Sequence, residues 1–280
     1  MSHHSLGREV LSVGLRTATI ILIVVVSFAV VGFLYDSTDV ISDGTCNVAV
    51  LPVEGVILPF HGIGDFPLTI TPETIRDFMN RAERDRMIDA VLVEINSPGG
   101  TPVAAEQIAE RLHASDVPVF SLIGDVGASG GYLVAAATAR IIASGMSDVG
   151  GIGVTMSYLE ESRKNEEEGI TFVQLARGDF KDAGNPAKPL TDAERERFEA
   201  DLELVYQEFV KQVAQYRGLS EEEVLALADG ATMPGVRALD AGLIDYIGGR
   251  TRAREVIAER LELPLEDVIF CEFDGGFSWW

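Results

Sequence analysis

The chain has 280 residues, with 44 acidic against 22 basic side chains and a net charge of −22. That length suits a short anchor plus one large domain or two small ones, and so strong a negative field excludes nucleic acid as a partner. Lysine is confined to Lys164, Lys181, Lys188 and Lys211, and the imbalance reads as adaptation to concentrated salt, where screening lengths shrink to a few ångströms.

Residues 1–16 are expected to be a cytoplasmic N-terminus. Thr17 to Tyr35 carries no charge, and at about 1.5 Å per residue it just spans a hydrocarbon core of about 30 Å. Arg8 and Arg16 precede it, and Asp36, Asp39 and Asp43 follow. The positive-inside bias therefore places the remainder outside the cell. A cleaved signal peptide is the competing reading. The run is longer than a usual h-region and no small-x-small site follows it, which favours a retained single-pass anchor. Residues 36–45 read as a linker, and residues 46–280 as the folded domain.

Within that domain, residues 46–58 read as a strand broken by Pro52 and Gly55. Thr71-Pro72 opens a helix to about Arg86, with proline at its favoured first position. Residues 89–95 (DAVLVEI) are a continuous apolar strand of the buried kind. NSPGG (96–100) is a tight turn, and Pro102 to about Ala114 an amphipathic helix. Residues 117–123 are another buried strand, 124–129 a loop, 130–138 a small-residue helix and 140–144 a short strand. Thr191 and Glu194 have capping-box spacing and start a helix to about Tyr216. Its Phe198, Leu202, Val205, Phe209, Val213 and Tyr216 step by three and four into one buried stripe. Ser220 and Glu223 cap a second helix, and residues 252–263 form a third. The charge run EESRKNEEEG (160–169) is a solvated face. Strands and helices in this alternation imply an α/β domain with a largely parallel sheet.

Cys46 and Cys271 lie at opposite ends of the domain; a long-range disulfide and two free thiols both fit. His3 and His4 precede the anchor, and His61 and His113 stand alone, so no zinc spacing is present.

Two glycine-rich turns each follow a buried strand and precede a helix, where a parallel sheet offers loops and helix N-termini to a ligand. They are Ser97-Pro98-Gly99-Gly100 and Ala128-Ser129-Gly130-Gly131-Tyr132. Acyl transfer needs a nucleophile on a sharp turn, amides aimed at the oxyanion, and a base. Ser129 begins a helix whose first N–H groups lack intrahelical partners, and Gly130, Gly99 and Gly100 can approach a substrate without a side chain in the way. The alternative is a serine that only caps a helix, beside glycines that only make turns.

The segments VLVEINSPGG, GDVGASGGYLVAAATARIIAS and GGIGV, followed by DGATMPGVRALDAGLIDYIGG (229–249), resemble the signal peptide peptidase A (SppA) family. The resemblance runs from about Cys46 to Gly249 and implies the ClpP/crotonase-like fold of stacked ββα units. It implies a serine–lysine peptidase, with the serine of ASGGY, here Ser129, as nucleophile. The family's base matches Lys181 in ARGDFKDAGNP rather than Lys188. A Ser-His-Asp triad is disfavoured by His113, which falls on an exposed helix face. A lysine base must be neutral, so the site must lower a free value of about 10.4, chiefly by desolvation. Phe180 can form an apolar wall, and Asp179 and Asp182 should point away. The oxyanion donors are expected to be Gly130 with Gly99 or Gly100. The resemblance further implies peptide substrates, among them residual signal peptides, no cofactor, and a homo-oligomeric ring whose subunits share sites.

One position departs from the family, which usually has serine where this chain has Gly151; that hydroxyl can hydrogen-bond the lysine. Ser147, Thr155 or a water is the expected substitute. Two rival functions follow: a catalytically impaired scaffold of the same fold, suggested by Gly151, and a crotonase-type acyl-CoA enzyme, disfavoured by an extracellular site.

Overall fold

The computed structural model describes residues 14, 16–28, 30, 40–60 and 69–271. Residues 16–28 are helical, and Ile20 to Val26 are exposed. Among the described residues no helix is long and apolar enough to cross a membrane. Of the expected spanning helix over 17–35, residues 17–28 and 30 are described and helical, and no spanning helix is found among the described residues; 29 and 31–39 lie outside them, as do His3, His4 and His61.

The domain is built on one sheet of nine strands among the described residues, with the main order β2-β1-β3-β4-β5-β8. The strands are β1 (Val48–Ile57), β2 (Thr69–Ile70), β3 (Ala90–Gly100), β4 (Val119–Ala128), β5 (Arg140–Ala143), β6 (Asp148–Gly150), β7 (Thr232–Pro234), β8 (Tyr246–Ile247) and β9 (Phe270–Cys271). Every pairing is parallel except β6 with β7. Helices α1 (Pro72–Arg84), α2 (Pro102–His113) and α3 (Gly130–Ala136) follow β2, β3 and β4. After β6 come α4 (Ser162–Glu167), α5 (Asp192–Arg217), α6 (Glu221–Leu225), α7 (Gly235–Asp240) and α8 (Arg250–Leu261).

The continuous apolar strands are explained by burial on both faces. Val91, Val93 and Ile95 of β3 enter the larger core with α1, α2 and α3. Their neighbours Ala90 and Leu92 pack with Phe120 and Ile142 beneath Ala253, Val256 and Ile257 of α8. Tyr132 is fully buried and donates its hydroxyl to the Leu243 carbonyl at 2.8 Å.

Several expected boundaries move. Pro52 and Gly55 do not break β1. Gly55 takes φ +77 at a register shift between Glu54 and Val56. Pro52 is tolerated because β1 pairs along its length only with β3; β9 and β2 reach just its two ends. NSPGG is not a free turn, since β3 stays paired to β1 as far as Gly100. Residues 124–128 are not a loop either: β4 continues through them by exchanging β5 for β6 as its neighbour.

Of the expected stripe only Val213 is buried; Phe198, Leu202, Phe209 and Tyr216 are half-buried and Val205 is exposed, while Val210 and Ala214 complete the buried face in the C-terminal half of α5. Its first half and residues 154–190 stand out from the sheet, leaving Leu159, Val173 and Leu175 at 80%, 71% and 95% exposure. Both capping boxes form as expected. The charge run makes the short exposed helix α4. Cys46 and Cys271 are joined as a disulfide, their Cα atoms 5.1 Å apart, beside the pairing of β9 with β1.

Candidate active site

The site grows from the carboxyl ends of two adjacent strands. Ser97 of β3 pairs with Gly127 of β4, so both glycine-rich segments leave the sheet side by side. Ser129 sits between β4 and α3 at φ 52 and ψ −124, one of two non-glycine residues with positive φ among the described residues. Such a conformation costs on the order of 1–3 kcal/mol. It is held on both sides: the Ser129 N–H donates to the Gly150 carbonyl at 2.7 Å, and its carbonyl accepts from the Leu133 N–H. The hydroxyl makes no capping bond to α3, so helix capping does not explain the residue.

The two glycine segments are nearly in contact. A Cβ added at Gly99 would fall 2.7 Å from the Gly130 nitrogen, and one at Gly130 would fall 2.8 Å from Ala105 Cβ and 3.4 Å from the Gly100 nitrogen. Gly99, at φ +97, cannot be replaced cheaply. Ser97 locks the segment by donating its hydroxyl to the Gly55 carbonyl at 2.7 Å and accepting the Gly99 N–H at 3.1 Å. In the sequence Ser97 reads only as part of a turn; nothing local marks it as the organiser.

Ser129, Gly100 and Gly130 open onto a cavity of about 400 Å³. Ala105, Leu133, Val154 and Phe209 form apolar lining, and Glu106, Glu208 and Gln212 carry its polar groups. The α5 residues of this wall are some 80 positions from Ser129 along the chain, beyond the reach of any local sequence pattern.

Lys181 is not among the residues lining this cavity. It lies in an exposed, irregular segment after Gly178. Lys164, Lys188 and Lys211 pair with Glu161, Glu194 and Glu208; Lys181 makes no ion pair among the described residues. Asp182 beside it accepts from Asn185 Nδ2 at 3.0 Å through one oxygen, while the other is buried without a partner. Lys188 is committed to the buried Glu194, which also takes the Thr191 N–H at 2.9 Å. The Lys188 amine and the Thr191 amide hold the Glu194 carboxyl down at about 2, against the opposing effect of burial.

Of the proposed substitutes for the missing hydroxyl, Ser147 is occupied. It is buried, accepts the Ser144 N–H at 3.1 Å and donates to the Gly124 carbonyl. Thr155 is exposed and lines the cavity with Ser129. Gly151 has φ +61, and a Cβ there would lie 3.3 Å from the Ser129 nitrogen. His113 is exposed at the end of α2, its ring 5.0 Å from that of Tyr216, and no histidine among the described residues lines the cavity. No group of three or more candidate metal ligands occurs among the described residues.

A parallel sheet carrying a strained serine at a strand-to-helix turn above an apolar cleft fits the ClpP-like peptidase fold. The profile of peptidase family S49 matches residues 111–264, which include Ser129 and Lys181. The chain is 34% identical over 195 residues to a putative protease of Methanocaldococcus jannaschii, covering 69% of this chain and 63% of that one. It is 30% identical over 225 residues to capsid assembly protease C of Escherichia phage lambda, covering 77% and 50%. It is also 30% identical over 204 residues to a putative signal peptide peptidase SppA of Enterococcus faecium, covering 71% and 59%. The chain thus spans about half to two thirds of the length of these relatives. It belongs to peptidase family S49, the signal peptide peptidase A family.

Proposed function

We propose that the protein is a membrane-anchored serine endopeptidase working through an acyl-enzyme, with Ser129 as nucleophile and Lys181 as general base. The observation that carries this is Ser129 itself: a non-glycine residue at positive φ, its hydroxyl free of any capping role, set at the mouth of an apolar cavity. Strain of this kind persists only where the surroundings enforce it, and it concentrates at functional sites.

In the proposed reaction Lys181 Nζ, as the neutral amine, takes the Ser129 Oγ proton while Oγ attacks the scissile carbonyl. The oxyanion is held by the N–H groups of Gly130 and Gly100; Gly99 is the weaker candidate because its N–H already donates to Ser97. The lysine gives the proton to the leaving amine, then takes one from water as that oxygen attacks the acyl carbon, and returns it to Ser129 Oγ as the C–Oγ bond breaks and the acid leaves.

Lys181 is exposed, and it lies in the region that carries the unpacked side chains Leu159, Val173 and Leu175. These features support a homo-oligomeric ring in which this arm packs on a neighbour and delivers its Lys181 to that neighbour's Ser129. Burial at such a junction favours the neutral amine that a general base needs. The exposed apolar helix at 16–28 supports an anchor, and the disulfide suits an extracellular domain. Peptides left in or near the membrane, residual signal peptides among them, are the proposed substrates. The surplus of acidic residues supports adaptation to high salt; a melting temperature unchanged between molar and millimolar KCl would refute it.

A fluorophosphonate probe tests the central assignment. Wild-type protein should be labelled at Ser129, and Ser129→Ala should not. Lys181→Ala should lose labelling and peptide hydrolysis by orders of magnitude, and mixing Ser129→Ala with Lys181→Ala subunits should restore part of the activity if the site is shared. Unimpaired hydrolysis by Ser129→Ala sinks the reading.

A further inference from the structure

We propose that the cavity beside Ser129 selects substrates with a lysine or arginine at the residue whose carbonyl is attacked. This rests on the peptidase reading and adds the substrate class to it. Because Ser129, Gly130 and Gly100 themselves form part of the lining, a carbonyl held there directs its own side chain into the cavity.

The lining draws on two helices. α2 contributes Pro102 and Ala105 and, one turn after Pro102, Glu106; Ala105 lies against Gly130, where an added Cβ would fall 2.8 Å from its own. On α5, Val205, Glu208, Phe209 and Gln212 share one face by their three- and four-residue steps. A side chain in the cavity is therefore offered apolar surface by Leu133, Val154 and Phe209 together with carboxylate and amide oxygens from Glu106, Glu208 and Gln212. No lysine, arginine or histidine lines the cavity among the described residues.

The polar end is short of donors. Gln212 Nε2 donates to Glu106 Oε1 at 2.6 Å, while Gln212 Oε1 is shielded from solvent without a partner. Reversing the amide would set its oxygen against a carboxylate, so this orientation is the one the network supports. One competing cation, Lys211, pairs with the lining residue Glu208 at 3.2 Å, but both side chains are more than half exposed, and such a pair contributes little. An apolar stem ending in a cation matches this combination of surfaces. A purely aliphatic side chain leaves the Gln212 oxygen covered and unsatisfied and offers the Glu106 carboxylate no counter-charge.

The test uses two peptides identical except for lysine or norleucine at the residue on the acyl side of the scissile bond, which keeps the stem and removes the charge. Binding is measured by fluorescence anisotropy to the Ser129→Ala protein, at about 1 M KCl so that the overall negative field is screened. A third peptide carries the lysine three residues downstream, to control for that field. The lysine peptide should bind about tenfold tighter or more than the norleucine peptide and the displaced-lysine peptide. Glu106→Gln combined with Gln212→Leu should bring that ratio to within about twofold, and Glu106→Gln alone should give an intermediate ratio. Equal or tighter binding of norleucine, or a lysine preference that survives the double substitution, overturns the proposal. Fluorophosphonate labelling separates the two readings: labelling without lysine preference refutes the pocket assignment alone. Lysine preference without labelling refutes the peptidase and leaves the pocket as a recognition site.

Discussion

The Ser129 N–H donates to the Gly150 carbonyl at 2.7 Å, which ties the nucleophile turn to the end of β6. Gly150 and the following Gly151 stand at φ +96 and +61, and Gly151 donates its own N–H to the Ala231 carbonyl at 3.1 Å. The unusual backbone of Ser129 is thus held from outside its own loop, by a strand that β7 secures in turn.

The strain at Ser129 can be read in melting temperatures. Ser129→Ala and Ser129→Gly should both abolish peptide hydrolysis. Glycine adopts positive φ without the Cβ clash, so Ser129→Gly should be the more stable of the two by about 1 kcal/mol, a few degrees in Tm for a domain of this size. Equal Tm values would mean that the turn is not strained.

Gly151→Ser would place the family's hydroxyl near Ser129, but at a backbone position unsuited to it. With φ +61 and a Cβ 3.3 Å from both the Ser129 nitrogen and Thr232 Cγ2, the expected cost is about 1 kcal/mol of stability with no gain in rate. Thr155→Val should reduce activity, since Thr155 is the remaining hydroxyl at the cavity. A faster Gly151→Ser enzyme of unchanged Tm would show instead that the glycine leaves the lysine without an orienting group.

Lys188 and Lys181 should separate structure from chemistry. The folded-state value of Glu194 lies below its ordinary 4.5, at about 2. Its contribution to stability is therefore complete above about pH 4.5 and is lost as the pH falls toward 2. Lys188→Ala should lower stability at neutral pH and flatten this acid dependence, while peptide hydrolysis persists. Lys181→Ala should do the reverse: hydrolysis lost, denaturation midpoint unchanged from pH 2.5 to 7. Exchange of these two outcomes would mean that Lys188 is the base.

Reducing the disulfide should destabilise the domain, because Cys46 and Cys271 close a loop with a sequence separation of 225. A double Cys46→Ser, Cys271→Ser variant should lose about 2–4 kcal/mol, and reductant should no longer alter its Tm. An undiminished denaturation midpoint in the double variant would indicate that the pairing of β9 with β1 suffices alone.

Much of this was legible in the chain. The α/β class followed from buried apolar runs alternating with amphipathic helices, and Thr191 with Glu194 and Ser220 with Glu223 announced two helix starts by local chemistry alone. Ser129, Gly99, Gly100 and Gly130 were identified because a glycine-rich strand-to-helix junction is a short-range pattern. The departures from the sequence pattern share one physical cause. β3 and β4 run further than their apolar residues because strand extension depends on a neighbour: Gly100 is paired by Ile57, and Gly127 by Val149. The stripe on α5 has helical periodicity throughout, yet only the half that reaches the core is covered.

The sequence by itself determined the residues of the nucleophile turn, the two capping boxes and the periodicities that build a parallel sheet, all of which are encoded within a few positions of each other. The tertiary structure alone decided that Ser129 sits at positive φ, that Cys46 meets Cys271, that Ser147 is occupied while Thr155 lines the cavity, and that Gln212 of α5 meets Glu106 of α2. Each of these depends on groups from distant segments converging in space. A hydrogen bond or a shared cavity wall is set by distance between atoms, and separation along the chain carries no record of it.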